Sequence, residues 1–271
     1  MQFFQVLFMK SRLIILSIFV LTCIILSSSV SSAVTLNNAN SISVQFLDKN
    51  VHGNVLKNPA IKKYLSDTSF NQKMVSKLKQ GSLVYRLGSG KGKKILICGG
   101  IHGNEPHGPL AVTKLLNYLK TKKVNGTVYI VPFAIPIDTE KNSRNYVMSS
   151  KHYDPNRESN VAGTPTNNIL KFALAHKVDY IIDVHSGIEV NSTGLVYFQK
   201  DSEKKLAGYI QKKTGAIAKT NPQNGTFRSE ASKRGIKAIT MEVDKKFNTG
   251  KTSDKEFKML VYACVYLHLI N

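Results

Sequence analysis

Lys94-Ile-Leu-Ile-Cys-Gly-Gly-Ile-His-Gly-Asn-Glu-Pro106 is the stretch from which both the fold and the chemistry of this chain can be read. Its first part, Lys94 to Cys98, is a short apolar run of buried-strand type. After it, Val112, Leu115, Leu116 and Leu119 recur at i, i+3, i+4 and i+7, which is one face of a helix. His102 and Glu105 therefore stand three residues apart where a strand gives way to a helix. An imidazole nitrogen and a carboxylate oxygen delivered together from a strand end suit zinc, which accepts both at about 2.0–2.2 Å. The competing reading is that the pair only caps the following helix, because two residue types at one fixed spacing recur often by chance.

Later strand ends decide between these readings. His185 closes the run Tyr180-Ile-Ile-Asp-Val-His185, and Glu242 lies in Ala238-Ile-Thr-Met-Glu-Val243. In open α/β sheets, sites assemble at the carboxyl ends of strands. His102, Glu105 and His185 would fill three positions on one zinc ion and leave the fourth to water, as a catalytic rather than a structural site requires. Glu242 is the candidate to accept the water's proton. Asp183, two residues before His185, points to the same side of its strand, where it either orients that histidine or is a buried aspartate with a purely structural partner.

Asp154-Pro-Asn-Arg157 completes an ordered set: H-x-x-E, then N-R, then a strand-end histidine, then a strand glutamate. This order resembles the zinc carboxypeptidase superfamily, and the wording Gly-Ile-His-Gly-Asn-Glu and Asp-Pro-Asn-Arg is nearest its succinylglutamate desuccinylase/aspartoacylase branch. The resemblance covers about residues 80–271 and extends to Asn224-Gly-Thr-Phe-Arg-Ser-Glu230 and the run into Glu242. It implies that Asn156 and Arg157 grip a substrate carboxylate, for which a guanidinium offers a bidentate fork. It also implies an arginine that polarises the scissile carbonyl. Arg144 is the only arginine between the zinc motif and Arg157. Two departures are visible: no tyrosine lies between Tyr209 and Glu242, and 29 residues follow Glu242, so neither a tyrosine-dependent step nor a β-rich C-terminal domain is expected.

Outside these motifs the sequence bounds the setting. Lys10 and Arg12 precede an apolar run from Leu13 to Leu26, followed by Ser27-Ser-Ser-Val-Ser-Ser-Ala33. Residues 1–33 read as a secretory signal peptide, with retention as a membrane anchor as the alternative. Cys23 would leave with it, and Cys98 and Cys264 are core-like, so no disulfide is expected. Residues 34–80 read as an N-terminal extension, whether propeptide, spacer or small packed element, with helical stretches at Pro59–Leu65 and Phe70–Leu78. The net charge of +21 points to an anionic cell wall or membrane surface. Dispersed lysines, the lack of tryptophan and the lack of any binding motif argue against nucleic acid.

From residue 81 to 271, strands and helices alternate, as in a sheet covered on both faces. Helices are expected at Asn167–Ala175 and Ser202–Thr214, the latter stopped by Gly215, with a strand at Gly194–Phe198. A capping box of Ser253 and Glu256 is expected to open the last helix. Gly88-Ser-Gly-Lys-Gly-Lys-Lys94 lacks phosphate-loop spacing and reads as a hairpin turn. His107 reads as a capping or pocket-wall residue, and His152 as a loop histidine near the site. With the resemblance, the expected fold is a three-layer α/β/α sandwich with a mixed central sheet. The expected function is a secreted zinc amidohydrolase that cleaves an amide beside a free carboxylate, on wall peptides or alternatively on N-acyl amino acids. A catalytically silent surface-binding protein is the reading from another class.

Overall fold

The computed structural model describes residues 42–187 and 192–271. Strand β1 (Ser43–Asp48) leads through a 3-10 turn at Val55–Lys57 to helices α1 (Pro59–Tyr64) and α2 (Ser69–Leu78). Next come β2 (Ser82–Leu87), β3 (Lys94–Gly99), α3 (His107–Leu119), β4 (Thr127–Val131), α4 (Pro136–Lys141) and the strands β5 (Tyr146–Met148) and β6 (Lys151–Tyr153). The chain continues with α5 (Pro165–Ala175), β7 (Tyr180–Gly187), β8 (Leu195–Phe198), α6 (Asp201–Thr214), β9 (Ile217–Thr220), α7 (Phe227–Lys233), β10 (Lys237–Asp244) and α8 (Thr249–Tyr266).

Among the described residues, eight strands form one sheet in the order β1-β2-β4-β3-β7-β10-β8-β9, and β5 pairs with β6 apart from it. The centre, β4-β3-β7-β10, is parallel, whereas β2 joins β4 and β8 joins β10 antiparallel. This is the mixed sheet between helical layers. Strand side chains alternate between faces, so a strand covered on both sides must be apolar at successive positions. Ile95, Ile97, Ile182, Val184, Ile239 and Met241 pack into one core with residues of α2, α3, α6 and α8. Leu96, Cys98, Ile181 and Ala238 pack into another with Ile169 and Leu170 of α5 and Phe227 and Ala231 of α7. Fully burying one such aliphatic side chain stabilises the fold by roughly 1.5–3 kcal/mol.

Residues 42–80 pack against the later elements: β1 pairs antiparallel with β2, and Ile61, Met74 and Leu78 are fully buried in the same core as the later helices. They thus stand as an element built onto the domain. Two expectations are corrected. The turn at residues 88–94 is not a hairpin, because β2 and β3 do not pair; both flank β4. Helix α8 starts earlier than a Ser253–Glu256 box requires, with Asn248 as N-cap accepting from the Lys251 amide. Ser253 instead donates to the Gly250 carbonyl at 2.8 Å, and Glu256 is fully buried.

The other element expectations hold. Gly215 ends α6 in the left-handed conformation, at φ 76°, and Cys98 and Cys264 are buried free thiols. The proposed signal peptide and Cys23 lie outside the described residues. No described helix is long and apolar enough to cross a membrane.

Candidate metal centre and substrate pocket

The parallel strands end on one rim, and the site is built there. After β3 the chain turns through residues 100–105 into α3, carrying His102 and Glu105, both buried. Gly103 holds this turn: its amide donates to the Ser143 carbonyl at 2.7 Å, and an added Cβ would stand 1.9 Å from the Asp138 carbonyl oxygen. His185 comes from the end of β7, and parallel register places Glu242 of β10 beside it. Asp183, His185 and Glu242 all project on the α5–α7 face, as period-two alternation requires.

His102 Nδ1 lies 2.9 Å from Glu105 Oε1, and His185 Nδ1 lies 2.9 Å from Glu105 Oε2. One donor atom from each of the three falls within 4.8 Å of the others. The opposite ring nitrogens turn towards carboxylates: His102 Nε2 is 2.9 Å from Asp154 Oδ1, and His185 Nε2 is 2.9 Å from Asp183 Oδ1. At His102 the Asp154 carboxylate on the outer nitrogen fixes the tautomer that leaves Nδ1 to a metal. Two imidazoles and a carboxylate converging in this way fit a divalent ion of zinc type.

Electrostatics show how strongly charge is concentrated here. Burial alone would raise the Glu105 carboxyl, yet the flanking histidines hold it well below the usual carboxylate range. Burial alone would lower His185, but the charges of Asp183 and Glu105 prevail and raise it. Asp154 is lowered against its own burial by His102 and Arg144. Glu242 moves the other way: burial raises it, and His185 only partly offsets this.

A cavity of about 140 Å³ opens beside these groups and is lined by His102, Glu105, Arg144, Asn156, Arg157, His185 and Glu242, so each residue given a metal-binding, substrate-binding or catalytic role in the sequence reaches it. Arg144 lies in the site rather than on the open surface. Its Nη2 is 2.8 Å from Asp154 Oδ2, and its Nη1 is 3.2 Å from Glu105 Oε1. Asn156 accepts the Phe227 amide at 2.8 Å, and its Nδ2 is 3.1 Å from His185 Nε2. Arg157 donates to the Asn156 carbonyl at 2.8 Å. The Gln223 side-chain oxygen, in the amide orientation that satisfies both groups, accepts from Arg157 Nε and Nη2 at 3.0 Å. Its partners among the described residues are thus neutral oxygens, with no carboxylate.

Sequence reasoning missed Arg228. It is 2 % exposed, lines the same cavity, and donates to the Asn221 carbonyl at 2.6 Å, while its Nε has no partner among the described residues. Burial lowers its pKa, opposed by Asp183 and Glu242. The available signal was an arginine inside the helix-starting segment Thr226-Phe-Arg-Ser, next to a core phenylalanine. His107 is buried, with Nδ1 3.1 Å from Ser186 Oγ, and does not line the cavity. His152 is exposed on β6, also away from it.

No curated protein matches the sequence. Among solved structures, a succinylglutamate desuccinylase/aspartoacylase from Rhodobacter sphaeroides superposes with a TM-score of 0.55 at 19% identity, over 70% of this chain and 60% of that one. An aspartoacylase family protein from Mesorhizobium loti gives 0.56 at 21% identity, over 70% and 62%. This chain therefore spans less than two thirds of either. Bovine thrombin-activatable fibrinolysis inhibitor, solved with a tick carboxypeptidase inhibitor, gives 0.56 at 11% identity over 69% and 86%. These likenesses establish a carboxypeptidase-like fold. Residues 91–267 match the succinylglutamate desuccinylase/aspartoacylase catalytic domain, and the chain belongs to that family.

Proposed function

We propose that this protein is a zinc-dependent amidohydrolase that releases a small polar or acidic residue bearing a free carboxylate. The observation that carries this reading is an Arg157 guanidinium with only neutral partners among the described residues, in the same small cavity as the His102–Glu105–His185 donor set. Zinc held by these groups would supply Lewis-acid polarisation and bring the pKa of a water towards ~7. Arg157 and Asn156 grip the substrate carboxylate and set its amide against the donor set. Arg144 turns from its carboxylate partners to the carbonyl oxygen as negative charge develops there. Glu242 takes the proton of the attacking water and passes it to the departing nitrogen; a carboxyl raised by burial is suited to both steps. Arg228 adds positive charge to the cavity wall and favours an acidic or strongly polar released residue.

Export to an anionic cell wall, and wall peptides as substrate, remain part of the proposal, supported by the run Leu13–Leu26 and the charge of +21. N-acyl amino acids are the alternative, favoured by family membership and the small polar cavity. The test is hydrolysis of N-acyl amino acids, short peptides and wall fragments by the purified protein, with and without a chelator and with zinc restored. Glu242→Gln keeps size but cannot accept the proton, so turnover should fall by ~10²-fold or more with bound metal unchanged. Chelator-resistant turnover, or normal turnover by that variant, would refute the reading.

A further inference from the structure

The loop leaving β10 after Asp244 carries an exposed aromatic side chain. Phe247 is 53 % exposed, more than any other large hydrophobic residue among the described residues. It borders a cavity of about 310 Å³ that also touches Val243, Thr252, Lys251 and Lys255 and is apolar over most of its wall. Val243 faces the α8 side of the sheet, so this cavity lies on the opposite face from the metal centre.

Lys251, Lys255 and Lys258 recur at i, i+4 and i+7 and so form one stripe along α8, with exposed Lys246 just before it. Among the described residues, Lys246, Lys251 and Lys258 form no ion pair, and Lys255 donates to the Ser192 carbonyl. The nearby acids are engaged: Asp244 accepts the Lys246 amide at 2.8 Å, and Asp254 pairs with Lys114 at 2.6 Å. An apolar cavity with an exposed ring at its lip is thus rimmed by lysines that form no ion pair among the described residues, with Asp244 the one carboxylate in its lining.

A hydrophilic polyanion would use the lysines and leave the ring and the cavity idle. A surface of anionic headgroups over acyl chains uses all three, since basic side chains are drawn to anionic lipid and aromatic rings settle at headgroup level. We propose that Phe247 and the Lys246–Lys251–Lys255–Lys258 rim dock this protein on an anionic lipid surface. Exposed apolar patches flanked by polar groups commonly mark such contacts. The proposal does not depend on which amide the enzyme cleaves.

The sequence contains no tryptophan, so Phe247→Trp in the full chain introduces a single reporter at the proposed contact. The apolar run Leu13–Leu26 is common to every variant and contributes no tryptophan signal. With vesicles of phosphatidylcholine and phosphatidylglycerol, the emission should shift to the blue and be quenched by acyl-brominated lipid. Phosphatidylcholine alone should leave it unchanged. Adding Lys251→Glu and Lys255→Glu should weaken the response by roughly tenfold or more, from about one kcal/mol per basic side chain at such a surface. Lys246→Trp supplies a second reporter should the first variant fold poorly. Unchanged emission on anionic vesicles, or equal shifts on neutral ones, overturns the proposal. So does lysine-dependent binding of soluble polyphosphate with the introduced tryptophan still in water, which would identify a polyanion as the partner.

Discussion

At the scale of single residues, the partners of a charge say what it is for. Arg157 is held by neutral oxygens, whereas Arg144 is tied to Glu105 and Asp154. Arg157→Ala should therefore chiefly impair substrates with a free carboxylate, by roughly 10- to 150-fold in kcat/KM, as expected for a charge-assisted bidentate pair. Amidating the carboxylate should reproduce most of that loss in the unmodified protein, and the two changes together should be less than additive. Equal cleavage of acid and amide would remove Arg157 from recognition. Asp138 tells a different story: it is 3 % exposed, and burial pushes its carboxyl up to about 8, opposed only by Lys141. Because the folded value exceeds the unfolded one of about 3.9, its contribution to stability is full at low pH and is lost as pH rises through 8. Asp138→Asn should match the parent near pH 4 and exceed it in Tm increasingly towards pH 8. Parallel Tm curves would show that Asp138 does not carry this slope.

At the scale of elements, two loops from distant parts of the chain hold each other. The Ser159 amide donates to the Gly225 carbonyl at 2.9 Å, and Gly225, at φ 73°, would bring an added Cβ to 1.8 Å from the Arg157 carbonyl oxygen. Gly225→Ala should displace the Asn156–Arg157 segment, raising KM at least tenfold while the metal stoichiometry stays at its original value, since a small misplacement of a positioning group is costly. Loss of metal and substrate binding together would mean that the loop supports the whole centre. This pairing also marks the limit of what could be read from sequence. The runs Lys94–Cys98 and Tyr180–His185 were legible as strands because both faces are buried and the apolar signal is continuous. Their ends then located His102, Glu105 and His185, and the run Ala238–Val243 supplied Glu242. The short helix α7 was not legible, because seven residues held by Thr226 and by contacts with Asn156 carry little periodic signal of their own. Arg228 went unnoticed for the same reason. Strand β1 was missed because an edge strand with exposed Ser43, Val44 and Gln45 shows no clean alternation.

At the scale of the whole molecule, the sheet separates two cores built on the same strands. Each contains one buried thiol, Cys264 in the core of α2, α3, α6 and α8, and Cys98 in that of α5 and α7. Burial pushes Cys264 up to about 12, and burial together with the Asp183 charge raises Cys98 well above its ordinary value. Burial thus disfavours the thiolate of both while their layers stay closed, and thiolate is the reactive species. In a Cys23→Ser background, labelling by a thiol reagent should therefore wait on opening, and each cysteine should report the free energy of opening its own layer. Chelation of metal should speed Cys98, which sits one strand from His185 beside Asp183, more than Cys264; equal acceleration would mean that both layers open as one unit. The two sulfurs thus act as separate clocks on the two sides of one sheet, able to time which half lets go first.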